Sequence, residues 1–376
     1  MYVCKGSQQS KKNKKMKILT DIIFLDTSIF EKENFLRGHK IKQLGELSRN
    51  GEIQVKITDI VYSEILGRIR KNLTRTKTLF KNANKDLTSG GKILKNLEEF
   101  KAYYPMPKIT IADNYEKLKT KIDSFITDSK IEIISSEEAS IKEVFNKYFE
   151  REFPFGEGQK KDEFPDAFIL SAIEKWCEMK KVKSYVLSTD GDLINYTSST
   201  GLLLPIGNLA EYLDAINRRK AEKEKLEFLD KAIQDNLDNV EDYIKTNYED
   251  ELAFMVFEKH SSDAWYEEVE YDPATIDGIH FSNHLITDVE DSRVFVEVDA
   301  EINLTMNIRY EDLSNGSYDK EDGIWFNTEY VNEEKTFIAN YKFIVEFSYD
   351  IFEDEDNYFE FDSIIETKLE NYKEDC

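Results

Sequence analysis

Ile22-Ile23-Phe24-Leu25-Asp26-Thr27-Ser28 is the stretch that decides the fold. Four apolar residues in a row, two of them β-branched, suit a short strand buried on both faces, as in a parallel sheet. A carboxylate then stands where the strand stops. Ser184-Tyr185-Val186-Leu187-Ser188 repeats the pattern and leads into Thr189-Asp190, and residues 201–206 form a third apolar run. Between these runs, Ile57, Ile60, Val61, Ile65 and Ile69 recur close to a 3.6-residue period, which places Glu64 on a helix. Pro165-Asp166-Ala167 opens a further helical pattern. Alternating strands and helices predict an α/β fold with a doubly wound parallel sheet. In that architecture ligands bind beyond the carboxyl ends of the strands, so Asp26, Glu64, Asp166 and Asp190 are expected to converge. Four like charges repel unless a cation sits among them. Oxygen-only donors favour a hard ion, Mg²⁺ or Mn²⁺.

Working outward, helices are expected at 40–48, from about 57 through a Lys-rich stretch to 101, and at 113–127 and 137–150. Short strands are expected at 53–57 and 131–134. Ser89-Gly90-Gly91 breaks the long basic helix, and Pro105 and Pro107 mark a loop. Beyond Asn208 helical patterns continue to about residue 260. The period then changes. Val294, Val296, Val298, Ala300, Ile302, Leu304, Met306 and Ile308 alternate with mostly polar neighbours, and so do the odd-numbered residues from Phe337 to Ile351. Period-two alternation predicts antiparallel strands with one wet face, with Asn315-Gly316 and Asp322-Gly323 as turns. The expected organisation is a basic disordered leader at 1–19 (with Met16 a candidate start), an α/β domain at 20–215, and a helical linker with an acidic α+β module at 216–376. The apolar face with Phe337, Tyr341, Phe343 and Phe347 needs a cover, from its own helices or from another chain.

The chain has 376 residues and a net charge of −24. Residues 1–220 carry about +8 and residues 221–376 about −32. A basic half suits a polyanion; the acidic half would repel one, and is expected to regulate by docking, to bind a protein partner or a second copy, or only to solvate. No window approaches 18 uncharged apolar residues, which excludes a membrane-spanning helix. Cys4, Cys177 and Cys376 make neither a disulfide framework nor a zinc site; a reducing, cytoplasmic location is expected. His39, His260, His280 and His284 lie away from the acidic motifs, so no Ser–His or Cys–His nucleophile is in prospect.

Leu25-Asp26-Thr27-Ser28, Glu64, Glu163-Phe164-Pro165-Asp166-Ala167 and Ser188-Thr189-Asp190-Gly191-Asp192, in that order, resemble the PIN-domain nucleases over roughly residues 20–210. The resemblance implies a metal-dependent endonuclease, most naturally a ribonuclease acting on single-stranded RNA rather than DNA. Toxin, phage-defence and processing roles all stand open. Carried over residue by residue, it makes Asp26, Glu64, Asp166 and Asp190 catalytic and metal-binding. Asp192 becomes an accessory ligand, and Asp162 and Glu163 candidates for a second ion. Thr27 or Ser28 would orient Asp26 or touch phosphate, and Ser188 would do the same for Asp190. Ser28 stands where many PIN domains have Asn, and the separation of 102 positions from Glu64 to Asp166 implies inserted basic helices. Arg68, Arg70, Lys71 and Arg75 would track a phosphate backbone, with Tyr103 and Tyr104 available to stack on bases. The alternative from another class is a catalytically weak PIN-like RNA-binding or scaffold module.

Overall fold

Ile22–Leu25 is strand β1, and all four side chains are buried. In the computed structural model, which describes residues 16–89, 91–103, 107–155, 163–263, 267–272, 274–313, 316–319, 324–351 and 357–375, β1 lies in the middle of a five-stranded sheet. β2 is Gln54–Thr58, β3 Glu132–Ile134, β4 Ser184–Leu187 and β5 Leu203–Ile206. The order is β3-β2-β1-β4-β5 and every pair is parallel. The chain runs outward from β1 to β3 on one side, then crosses back to β4 on the other. The order therefore reverses between β1 and β4, the place where a doubly wound sheet opens a crevice.

The helices follow from local signals. Asp26 accepts from the Ser28 N–H and caps the short α1, Thr27–Lys32. Next come α2, His39–Arg49, and α3, Asp59–Ser89. The fully buried face of α3 ends at Ile69; Leu73 and Thr76 are half-buried, and every described residue from Lys77 on is exposed. α4 is Ile111–Asp128, and α5, Ile141–Glu150, is capped by Ser140. α6, Phe164–Lys180, has Pro165 in its first turn, and α7 is Gly191–Thr200. Phe155, Phe164 and Tyr148 pack ring to ring at 4.9–5.3 Å and fix the start of α6.

The chain divides into two compact units, Lys17–Leu209 and, from Ala210, the remainder to Cys376. In the second, α8 is Leu209–Lys220, α9 Lys223–Asp235, α10 Leu237–Asn247 and α11 Glu249–Asp263. The strands are β6 Glu267–Tyr271, β7 Thr275–Val289, β8 Arg293–Asp312, the small hairpin β9 Ser317–Asp319 and β10 Ile324–Phe326, then β11 Glu329–Asp350 and β12 Tyr358–Asp375. β8 pairs antiparallel with β11 along one edge and with β7 and β6 along the other; β12 closes the far side of β11. The stretch expected as a linker is instead a layer of this core: Leu229, Ile233, Val240, Ile244, Leu252 and Val256 bury against Val296, Ile302, Phe337, Phe343 and Phe347. The alternating strands thus receive their cover from their own helices. Arg218 joins this layer together, donating to Asp214 at 2.8 Å and to Asp230 at 2.7 Å, while Asp214 accepts from the Ile286 N–H at 3.0 Å.

β7 and β12 escaped the sequence reading because each is bulged. Register shifts fall at Ile276/Gly278, Phe281/Asn283 and Ile286/Asp288 in β7, and between Phe361, Ile364 and Leu369 along β12. Each bulge flips the inward face by one residue and erases the two-residue period. The leader 1–15, the Asp322-Gly323 turn and Asn315 lie outside the described residues. No described helix is long and apolar enough to cross a membrane.

Candidate active site

The crevice is built on the adjacency of β1 and β4. The Asp26 N–H donates to the Leu187 carbonyl at 3.0 Å, tying the two strand ends together. Ser188, the first residue beyond β4, is fully buried, and its Oγ donates to Asp26 Oδ2 at 2.9 Å. Ser28 donates to the same oxygen through Oγ at 2.5 Å and through its N–H at 3.2 Å. Both hydroxyls are oriented in turn: the Thr189 N–H donates to Ser28 Oγ and the Asp190 N–H to Ser188 Oγ, each at 3.0 Å. Asp26 Oδ2 is therefore the centre of a fixed network. Among the described residues no hydrogen bond falls on Oδ1.

One expectation is corrected here. Ser188 orients Asp26 and meets Asp190 through the latter's backbone N–H, because it follows the strand next to β1 and faces the Asp26 carboxylate. Of Thr27 and Ser28, it is Ser28 that holds Asp26; Thr27 Oγ1 donates to Glu64 Oε2 at 2.7 Å, because α1 packs on α3.

Glu64 lies in the second turn of α3. Burial pushes its carboxyl upward, the negative charges of Asp26 and Glu31 add to this, and the Thr27 hydrogen bond and Arg68 oppose it. Asp166, in the first turn of α6, is pushed up to about 7, first by burial and then by the charges of Asp26, Glu64, Glu163 and Asp190. One half-buried carboxyl thus senses all the other carboxylates of the motif, which brings Asp26, Glu64, Asp166, Glu163 and Asp190 into one field. Asp190 is exposed at the start of α7, its carbonyl accepting from the Ile194 N–H at 3.1 Å. Asp192 lies in the first turn of α7, its side chain outside what is described; Asp162 lies outside the described residues. Glu31 was not anticipated. It sits on α1 facing Arg68 at 3.9 Å, and no spacing in the sequence marks it.

A family model described as a PIN domain matches residues 23–193. These residues form a PIN domain. No curated protein and no solved structure matches the chain. The PIN domain implies a metal-dependent nuclease, hence a protein that meets nucleic acid.

The donor set of this PIN domain bears on a divalent cation. Among the described residues no three Asp, Glu, His or Cys side chains are gathered tightly enough to ligate one ion together. A hydrated Mg²⁺ needs only one or two carboxylates and keeps several waters. The unengaged Oδ1 of Asp26 and the mutual repulsion focused on Asp166 match that requirement, and every donor is hard oxygen. The residues fit.

Of the basic residues, Arg68, Lys71 and Arg75 are exposed on α3, and the Arg70 guanidinium lies over the Tyr115 ring at 4.5 Å. The side chain of Tyr103 and the whole of Tyr104 are outside the description.

Proposed function

We propose that this chain is a Mg²⁺- or Mn²⁺-dependent endonuclease that hydrolyses phosphodiester bonds, with single-stranded RNA as its preferred substrate. The reading is carried by one observation: Asp166, on the PIN-domain unit, is pushed up to about 7 by burial and then by the charges of Asp26, Glu64, Glu163 and Asp190. Every charge among these causes is negative, whereas a structural carboxylate would be paired with a cation. Asp26, through Oδ1, and Asp190 would hold the ion, with Glu64 and Asp166 completing its surroundings through its waters. Asp192 would assist, and Glu163 and Asp162 would face a second ion. When bound, the cation supplies Lewis acidity and positive charge at the scissile phosphodiester.

The chain's own contribution is orientation and proton placement. Ser28 and Ser188 lock the Asp26 carboxylate, so one oxygen is committed to the protein and the other to the reaction. Thr27 does the same for Glu64. Asp166 carries a proton over part of the neutral range and can exchange it with a nearby water. Arg68, Lys71 and Arg75 on α3 would receive the phosphates flanking the cut.

Incubation of the full chain with mixed single-stranded RNA and DNA and Mn²⁺ tests the reading. Cleavage favouring RNA, abolished by EDTA and by Asp26→Asn, is expected. Undiminished cleavage in EDTA, or in Asp26→Asn, rules it out.

A further inference from the structure

A cavity of about 550 Å³ opens among the loop after α1, the middle of α3 and the second half of α4. That volume lies within the range of small-molecule sites, about 300–1,000 Å³. Its floor is apolar: Phe35, Leu36, Ile69, Leu73 and Leu118. Its rim is basic, with Arg37, Lys42 and Lys121, and no acid is among the lining residues described. Asn34, Asn72 and Thr76 add amide and hydroxyl groups. The loop is held in an unusual conformation, with φ of 43° at Asn34 and 61° at Phe35; a left-handed phenylalanine is uncommon and is maintained only where its surroundings require it.

This combination suits a flat apolar group that has hydrogen-bonding edges and a nearby negative charge. Placement narrows the class. Leu73 is nine residues beyond Glu64 on the same helix, about 13–14 Å along its axis. The loop follows the helix that Asp26 caps. Nine residues are about two and a half turns, so a strand crossing the acids would also pass round α3 and reach the cavity after about three to five nucleotides.

We propose that this cavity is a nucleobase-binding subsite, taking one unpaired base of the substrate strand while Arg37, Lys42 and Lys121 hold its flanking phosphates. Phe35 supplies a ring for stacking, and the Asn34 and Asn72 amides supply contacts to the base edge. The subsite sets the register of the strand relative to the acids. This rests on the nuclease reading above.

The test uses the full chain in EDTA, so that binding is read without cleavage. A fluorescent single-stranded RNA of about 12 nucleotides, carrying one photoreactive thiouridine at successive positions, is titrated and then irradiated. One position is expected to crosslink to peptides containing Phe35 or Leu73. Leu73→Trp, which fills the cavity, and the exposed pair Arg37→Glu with Lys121→Glu should each raise the Kd about tenfold; the surface pair guards against a folding defect in the first. Separately, with Mn²⁺, the cut positions on a defined RNA should shift in both variants. Wild-type affinity and cut positions in both, with crosslinks elsewhere, would overturn the subsite and leave the nuclease reading standing. A wild-type chain that neither binds nor cuts RNA or DNA would remove the nuclease reading itself.

Discussion

Replacing Asp166 by Asn gives the sharpest check on the site's electrostatics. The folded carboxyl sits near 7 against an ordinary 3.8. Between those pH values the folded chain holds a proton that the unfolded chain has released, so stability falls as pH rises through the window and is level above it. The interval corresponds to about 4 kcal/mol. Asp166 is only half-buried, and solvent screening reduces this to roughly 2 kcal/mol. An acid in the first turn of α6 also gains about 0.3–1 kcal/mol from the helix N-terminus, which Asn forfeits in part. The net expectation is that Asp166→Asn stabilises the metal-free protein by about 1–2 kcal/mol at pH 8 and by nothing at pH 4. For a unit of this size that is a rise in Tm of roughly 2–8 °C at pH 8. Thermal unfolding of both proteins in EDTA, from pH 4 to pH 9, measures it. Adding Mn²⁺ should then stabilise the wild type more than the variant, since the ion relieves the repulsion that Asn has already removed. A variant less stable than wild type at pH 8, or a difference that does not change with pH, would refute the reasoning.

Ser188→Ala removes both a donor to Asp26 and the acceptor for the Asp190 N–H; cleavage should fall about 10–100-fold with the fold intact by circular dichroism, and an unchanged rate would disprove the orienting role. Thr27→Val deletes the bond to Glu64, so the pH at which Glu64 titrates should rise further, seen as an upward shift of the acid limb of the pH–rate profile. Charge reversal at Arg68, Lys71 and Arg75 should weaken RNA binding and flatten its salt dependence, checked by titrations from low to physiological salt; an unaltered slope would place the phosphates elsewhere. In the C-terminal unit, Arg218→Met removes the guanidinium shared by Asp214 and Asp230, leaving them the Ile286 N–H and His284, and should destabilise it by about 1–3 kcal/mol, read by hydrogen exchange across residues 210–376.

The parts legible in the sequence are those where one local pattern suffices. β1 and β4 are unbroken apolar runs because a central parallel strand is buried on both faces, and the acids at their ends are conspicuous against that background. β8 and β11 are legible because a regular antiparallel strand with one wet face must alternate. β7 and β12 belong to the same sheet and were not legible, since bulges at Phe281/Asn283 and around Ile364 move the inward face mid-strand. α1 is six residues long, too short for a helical period to appear.

The same distinction runs through the site. Asp26, Glu64, Asp166 and Asp190 announce themselves one at a time, each from its own neighbours. Their hydrogen bonds do not, because Ser188 reaches Asp26 only once β4 lies beside β1, 162 residues apart in sequence. Nor does the cavity, whose walls come from the α1–α2 loop, α3 and α4 and share no motif. The long basic stretch after Glu64 carries a further lesson. Its first three turns repeat at 3.6 residues because Val61, Ile65 and Ile69 meet the core; beyond Thr76 every described residue of α3 is exposed, and the remaining regularity is helix propensity alone. The 13 residues beyond Thr76 make about three and a half turns that bury none of their own side chains. With Lys77, Lys81 and Lys85 on those turns and Arg75 just before them, a polyanion is the occupant that their charge selects.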